Sequence, residues 1–328
     1  MIDSIRGNNL LSLNDLSREA IIEVLDTAES FVEVNKRAIK KVPALKGRVV
    51  ASLFFEESTR TRLSFETAAK RLSADVLSLA VASSSVKKGE SLRDTIATID
   101  ALGIDAVVMR HKSSGAAEQV SRYVPHVRVI NAGDGLHQHP TQGLLDAFTV
   151  RQALAERHAT TGLESGAELF SGLHVLIVGD VRHSRVARSD IAAYVALGAE
   201  VRIAAPGTLL PEDIANWPVS VSDDFDEALE WADVVGLLRL QRERGSGSFV
   251  PNLGEFTQTH GLTLERARRL RPDVLIMHPG PMNRGVEIDS RVADLPAAVI
   301  ERQVTNGVPI RMAVLYLTVA GTSERSGL

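Results

Sequence analysis

Short apolar runs that alternate with stretches of helical spacing constrain this chain more than any other feature. "RVVASLFF" (48–55), "DAVVMRH" (105–111), "HVRVINAG" (126–133), "LHVLIVGD" (173–180), "EVRIAAP" (200–206), "ADVVGLLR" (232–239) and "DVLIMHPG" (273–280) are short apolar runs with β-branched residues, and each ends in or is followed by polar or charged residues, Gly or Pro. Between them, "RLSFETAAKRLSADV" and "LRDTIATIDALG" repeat apolar residues at helical intervals. Strands that alternate with helices form βαβ units, and βαβ units build parallel sheets with helices on their faces.

The chain predicts an α/β protein of two domains, each a parallel sheet flanked by helices, joined by long helices. A length of 328 residues accommodates two cores. The polar segment "ERHATTGLESGAELFSG" (156–172) marks a break, with three of the predicted strands before it and four after. Ahead of it, "PTQGLLDAFTVRQALAERH" reads as a long helix with Pro140 at its first position, where a missing N–H costs nothing. The C-terminal "VPIRMAVLYLTVAG" reads as a second long helix that packs back on the first domain. The domains are expected at 1–150, joined by the helix 303–322, and at 151–302. "QRERGSGSFVP" (241–251) is the expected mobile loop.

Charge and composition remove several function classes. The net charge is −4 and aromatics are 4% of residues, against the basic face and stacking rings of a nucleic-acid binder. No apolar run nears the ~20 residues that cross a bilayer, and the first residues lack a basic block followed by an apolar one. A cytoplasmic location is the default expectation. The chain has no cysteine, which removes disulfides, thiolate metal sites and a cysteine nucleophile.

The unusual polar residues fall at the ends of the predicted strands. "EESTRTRLSFETAAK" (56–70) follows the first, and a helix is expected to start at Ser58 with Arg60 and Arg62 in its first turn. That end of a helix carries about +0.5 of an elementary charge, so cations there are disfavoured. Glu56 and Glu57 offset the conflict in one reading, and a bound anion in another. Arg110 and His111 end the second strand, and "GDGLHQHPTQ" follows the third. "GDVRHSRVARS", "LRLQRER" and "HPGPMNR" follow later ones. Arg60, Arg62, Arg110, Arg182, Arg185, Arg188, Arg239, Arg242 and Arg244 all lie in these loops. Ligands of open α/β sheets bind at the carboxyl ends of strands, so an acidic protein with arginines there is expected to bind small, multiply charged anions. "VLIVGDVRHSRVAR" lacks the G-x-G-x-x-G glycines of a dinucleotide fold. His137 and His139 have a metal-compatible spacing but no third ligand nearby, and read as hydrogen-bonding loop residues.

"STRTR", "SVKKGES", "MRH" and "QHPTQ" occur in this order in the carbamoyltransferases, which the chain resembles over nearly its whole length. "GDVRHSRVARS", "LLRLQRER" and "MHPGPMNRGVEI" resemble the catalytic chains that act on aspartate. The ornithine branch carries "HCLP" where this chain has His278-Pro279-Gly280-Pro281. Aspartate, with two carboxylates, calls for cations in its pocket, whereas ornithine calls for an acid.

The resemblance implies transfer of a carbamoyl group from carbamoyl phosphate to L-aspartate, an early step of pyrimidine biosynthesis, without cofactor, metal or covalent intermediate. The first domain would bind carbamoyl phosphate and the second L-aspartate. Carried over by motif, Ser58, Thr59, Arg60 and Thr61 would hold the phosphate, with Arg110 adding charge. Thr61, Arg110 and His139 would face the carbamoyl oxygen, and Gln142 the carbamoyl amide. Arg185, Arg239 and Gln241 would bind the aspartate carboxylates, and Pro279 and Gly280 would offer backbone carbonyls. Ser84 and Lys88 would reach the site of a neighbouring subunit, which implies a homotrimer. Regulatory chains and a dihydroorotase partner stay open, as does another amino-acid substrate such as ornithine.

Overall fold

The computed structural model describes residues 1–79, 90–161, 167–241 and 252–320. The chain forms two compact units, Met1–Leu144 with Thr305–Leu328, and Leu145–Val304.

The first unit contains α1 (Arg18–Lys36), β1 (Val49–Phe54), α2 (Thr59–Arg71), β2 (Asp75–Leu79), α3 (Leu92–Asp100), β3 (Ala106–His111), α4 (Ala116–Tyr123), β4 (Arg128–Asp134) and the start of α5 (Pro140–Thr161). Its strands lie in the order β2-β1-β3-β4, all parallel. Strands β3 and β4 are buried along almost their whole length, as a strand covered on both faces must be. Ala51, Leu53, Val107, Met109 and Val129 pack there against Ile96, Ile99, Ala117 and Val120 of α3 and α4.

The second unit contains the remainder of α5, β5 (His174–Val178), α6 (Arg185–Leu197), β6 (Glu200–Ala204), β7 (Ser220–Val221), α7 (Phe225–Trp231), β8 (Val234–Leu237), α8 (Leu253–His260), α9 (Leu264–Arg269), β9 (Leu275–Met277) and the first residues of α10 (Ile300–Leu315). The sheet order is β7-β6-β5-β8-β9, again all parallel. Leu176, Val178, Val235, Leu237 and Ile276 form its core with Phe225, Ala228 and Leu229 of α7. The later part of α10 belongs to the first unit, where the Arg311 guanidinium covers the Phe65 ring at 5.1 Å.

Local chemistry sets where the helices begin. Ser17, Ser91, Ser184 and Asp224 each accept a hydrogen bond from the backbone N–H three residues on, at the starts of α1, α3, α6 and α7. Pro140 opens α5, as its fixed φ favours.

The strand count departs from the expectation of three and four, since among the described residues the sheets have four and five strands. "RLSFETAAKRLSADV" is not one helix: α2 stops at Arg71, Ser73 turns the chain at φ 66°, and Asp75 already pairs in β2. Strand β2 runs along the sheet edge with mostly exposed side chains, so it shows no apolar alternation to read. The two exposed residues of β7 leave still less signal. Helix α5 continues to Thr161, into the polar segment read as a break, and α10 starts at Ile300. Of the loop 241–251 only Gln241 lies within the described residues. Among the described residues, no helix is long and apolar enough to cross a membrane.

Candidate active site

Each sheet has one topological switch point. In the first unit the chain leaves β1 towards β2 and leaves β3 towards β4, so a crevice opens at the carboxyl ends of β1 and β3. In the second it leaves β5 towards β6 and β8 towards β9, so the crevice lies beyond β5 and β8.

Residues Ser58–Thr61 and Arg110 lie at the first of these. Ser58 is the N-cap of α2 in an extended conformation, and its hydroxyl caps no backbone N–H. The first intrahelical bond runs from Arg62 N–H to Ser58 O (3.2 Å), so the amides of Thr59, Arg60 and Thr61 lie ahead of it. No acidic residue occupies this first turn. Glu56, just ahead of the helix, is engaged by Arg110. Its carboxylate accepts a hydrogen bond from Nη2 of Arg110 at 2.9 Å, across the β1–β3 pair. Arg110 is 9% exposed, and a guanidinium that buried needs its carboxylate partner. Arg60 and Arg62 are exposed, and Thr61 is buried.

His139 and Gln142 follow β4, beside β3. Both are buried. The turn that delivers them is fixed by Asp134, a residue sequence reasoning passed over. Its Oδ1 accepts from Asn131 Nδ2 (2.8 Å) and Gln138 N–H (3.0 Å), and its Oδ2 from Gly115 N–H (2.7 Å), with His137 Nδ1 at 3.1 Å. Burial opposes the Asp134 charge, but the bonds from His137, Asn131 and Gly115 outweigh it and hold this carboxyl below its usual range. His137 is thus engaged by Asp134. Among the described residues, no group of three or more His, Cys, Asp or Glu could hold a metal ion.

The second crevice carries Arg185, Arg239 and Gln241. Gly179 (φ 115°) follows β5, and a Cβ there would stand 3.0 Å from the Leu238 carbonyl, so glycine suits the close approach of the two strand ends. Asp180 comes next. Its Oδ2 accepts from Gln241 N–H (3.1 Å), and its Oδ1 from His183 N–H (3.2 Å) with His183 Nδ1 at 2.8 Å. One buried carboxylate therefore ties the loop after β5 to the segment after β8. Arg185 opens α6 and is 3% exposed, while Arg239 and Gln241 are half-buried. Two other candidate arginines have local partners. Arg182 binds Glu212 (2.9 Å), and the Arg188 guanidinium lies over the Trp217 ring at 4.6 Å. Burial moves Arg188 below the usual arginine range, against the pull of Asp213.

Pro279 and Gly280 follow β9 and are half-buried. Gly280 has φ 64°, a conformation that favours glycine. His278 and Glu287 hold this loop from behind, and neither was assigned a role from sequence. Ser84, Lys88, Arg242 and Arg244 lie outside the described residues.

Comparison with known proteins agrees with this division. Residues 8–152 match the family model described as aspartate/ornithine carbamoyltransferase, carbamoyl-P binding domain, and residues 171–318 match the corresponding Asp/Orn binding domain. The chain is 53% identical over 326 residues to the aspartate carbamoyltransferase catalytic subunit of Micrococcus luteus, covering 96% of this chain and 98% of that one. It is 50% identical over 319 residues to the subunit of the same name from Thermobifida fusca, covering 97% of each. Among solved structures, the aspartate transcarbamoylase of Trypanosoma cruzi in complex with carbamoyl phosphate and aspartate matches with a TM-score of 0.82 at 30% identity, over 97% of this chain and 98% of that one. The chain belongs to the aspartate/ornithine carbamoyltransferase family, among the aspartate carbamoyltransferase catalytic subunits.

Proposed function

We propose that the first unit binds carbamoyl phosphate, that the second binds L-aspartate, and that the residues placed at the two switch points carry the transfer. The reaction is that of an aspartate carbamoyltransferase, giving N-carbamoyl-L-aspartate and phosphate. The observation that carries the assignment is the position of the cations, at the one crevice of each sheet where a ligand binds.

Carbamoyl phosphate meets the N-terminus of α2. The amides of Thr59, Arg60 and Thr61 and the helix dipole receive the phosphate, with the Arg60 guanidinium and the Ser58 hydroxyl adding contacts. Arg110, His139 and Thr61 donate towards the carbamoyl oxygen, and Gln142 holds the amide nitrogen. Arg185 and Arg239, with Gln241, bind the two aspartate carboxylates. The Pro279 and Gly280 carbonyls accept from the substrate amine. The amine lone pair attacks the carbamoyl carbon, so a C–N bond forms and negative charge gathers on the carbamoyl oxygen. One preorganised donor at that oxygen contributes about 3 kcal/mol to the transition state. The tetrahedral centre then collapses, the C–O bond to phosphate breaks, and the departing phosphate takes a proton from the amine. Placement and electrostatics suffice for this chemistry.

Ornithine as the acceptor fits the second crevice poorly. Its side-chain amine needs an acid, and Asp180, an acid placed there among the described residues, is engaged by Gln241 and His183. A homotrimer in which Ser84 and Lys88 complete a neighbour's site, a cytoplasmic location and a place in pyrimidine biosynthesis belong to the same proposal. The test supplies carbamoyl phosphate with L-aspartate or L-ornithine and measures the ureido product. Product with aspartate alone is the expected result. Product with ornithine would overturn the assignment of the second unit.

A further inference from the structure

The loop that follows β9 is held by a buried pair with no role in the reading above. His278 Nδ1 accepts a hydrogen bond from Gly280 N–H at 2.8 Å. Because Nδ1 accepts, the ring proton sits on Nε2, which faces Glu287 Oε1 at 3.1 Å. The same Glu287 oxygen accepts from Asn283 N–H at 2.5 Å. Both side chains are closed to solvent, at 0% and 2% exposure. One imidazole–carboxylate pair therefore grips the loop at Gly280 and again at Asn283. The anchor continues inward. His278 N–H donates to Gln303 Oε1 (3.0 Å), and Gln303 Nε2 donates to Asp146 Oδ1 (2.7 Å), which joins the loop to α10 and α5 within the second unit.

The geometry has a direct consequence. Gly280 N–H and the Pro279 carbonyl belong to one peptide plane, and in a trans peptide they point in opposite directions. Tying that N–H to a buried ring turns the Pro279 carbonyl away from the interior. We propose that His278 and Glu287 are positioning residues, which aim the Pro279 carbonyl at the amine of the amino-acid substrate. The inference rests on the reading that this loop contacts that substrate.

The experiment compares His278→Ala, His278→Asn, Glu287→Ala and Glu287→Gln by steady-state kinetics with each substrate varied, together with thermal unfolding and hydrogen exchange at the Gly280 amide. His278→Ala is expected to raise the aspartate KM by about 10²-fold, the scale set by misplacing a contact by about 1 Å. The carbamoyl phosphate KM should stay within about threefold of wild type. Exchange at Gly280 should accelerate. His278→Asn supplies an oxygen acceptor for Gly280 N–H and should recover most of the loss. Glu287→Gln retains an acceptor and should exceed Glu287→Ala in the same way. If His278→Ala does not fold, the two Glu287 variants decide. An unchanged aspartate KM, equal rises for both substrates, or no recovery by the conservative variants overturns the proposal. A wild-type protein that does not carbamoylate aspartate overturns the underlying reading as well, so the two failures are distinguishable.

Discussion

The two units solve the same problem with different means. Under the proposal, each holds an anion at the switch point of a parallel sheet. In the first, backbone does much of the work. Helix α2 begins with amides ahead of its first hydrogen bond, with an arginine beside them and no acid in the turn. In the second, side chains supply the cations: Arg185 opens α6 and Arg239 follows β8. The difference matches the proposed ligands. A phosphate is compact and accepts hydrogen bonds from every side, which suits a ring of N–H groups. An amino acid with two separated carboxylates and an amine needs cations at two points and acceptors at a third, which one helix end cannot supply.

Beneath this difference the units share a device. Asp134 in the first and Asp180 in the second are buried carboxylates, each just past a strand end or in its last residue, and each gathers donors from a segment that carries residues proposed to bind substrate. Neither is assigned to touch substrate.

The largest effect is expected at Arg60. Arg60→Ala is expected to lower kcat by about 10³-fold, equivalent to about 4 kcal/mol of transition-state stabilisation, and to weaken phosphate binding. Because Arg60 is exposed, the unfolding temperature should hold. Phosphate affinity equal to wild type would remove the helix-end site from the account.

Smaller effects are expected at the two buried aspartates. Asp180→Ala should raise the aspartate KM by about 10²-fold and spare carbamoyl phosphate, since Gln241 loses its anchor. Asp134→Ala should damage the other half, raising the carbamoyl phosphate KM, and should cost about 3 kcal/mol of stability. The wild-type carboxyl is held below its usual range, so its contribution is present above that range and is lost as pH falls through the folded value. The stability gap between wild type and Asp134→Ala should therefore narrow in acid. Kinetics of both variants and unfolding against pH check these outcomes.

The smallest effect concerns Asp190 in α6. Burial, then the neighbouring Asp146 carboxylate, push this buried carboxyl well above its usual range. Here the sign reverses. The folded protein keeps a proton that the unfolded chain releases, so stability is fullest below the usual carboxylate range and falls as pH rises. Asp190→Asn removes that loss. Its unfolding temperature should exceed wild type by roughly 3 °C near neutral pH, with the gap closing towards about pH 4.

Much of this layout was legible in the sequence because strand ends are punctuated. "STRTR", "MRH", "GDVRHSRVARS" and "LLRLQR" each follow an apolar run, so Arg60, Arg110, Arg185 and Arg239 could be placed at one type of edge before any sheet order was known. The order itself left no trace, and the switch points depend on it. Asp134 and Asp180 were in view as G-D steps after strands, but a loop aspartate looks the same whether it is solvated or gathers donors in the interior. His278 and Glu287 meet from nine positions apart, a spacing that no periodicity records. Strand β2 was lost because an exposed edge strand next to a helix has no alternation of its own.

Under the proposal, the two substrates are held by different units. Arg239→Ala, assayed for the aspartate KM by steady-state kinetics and for phosphate affinity by calorimetry, tests it most directly. Loss of one charge-assisted hydrogen-bond partner is worth about 1.5–3 kcal/mol, so the aspartate KM should rise roughly 10- to 150-fold while phosphate affinity stays at the wild-type value. Weakened phosphate binding with an unchanged aspartate KM would contradict the account.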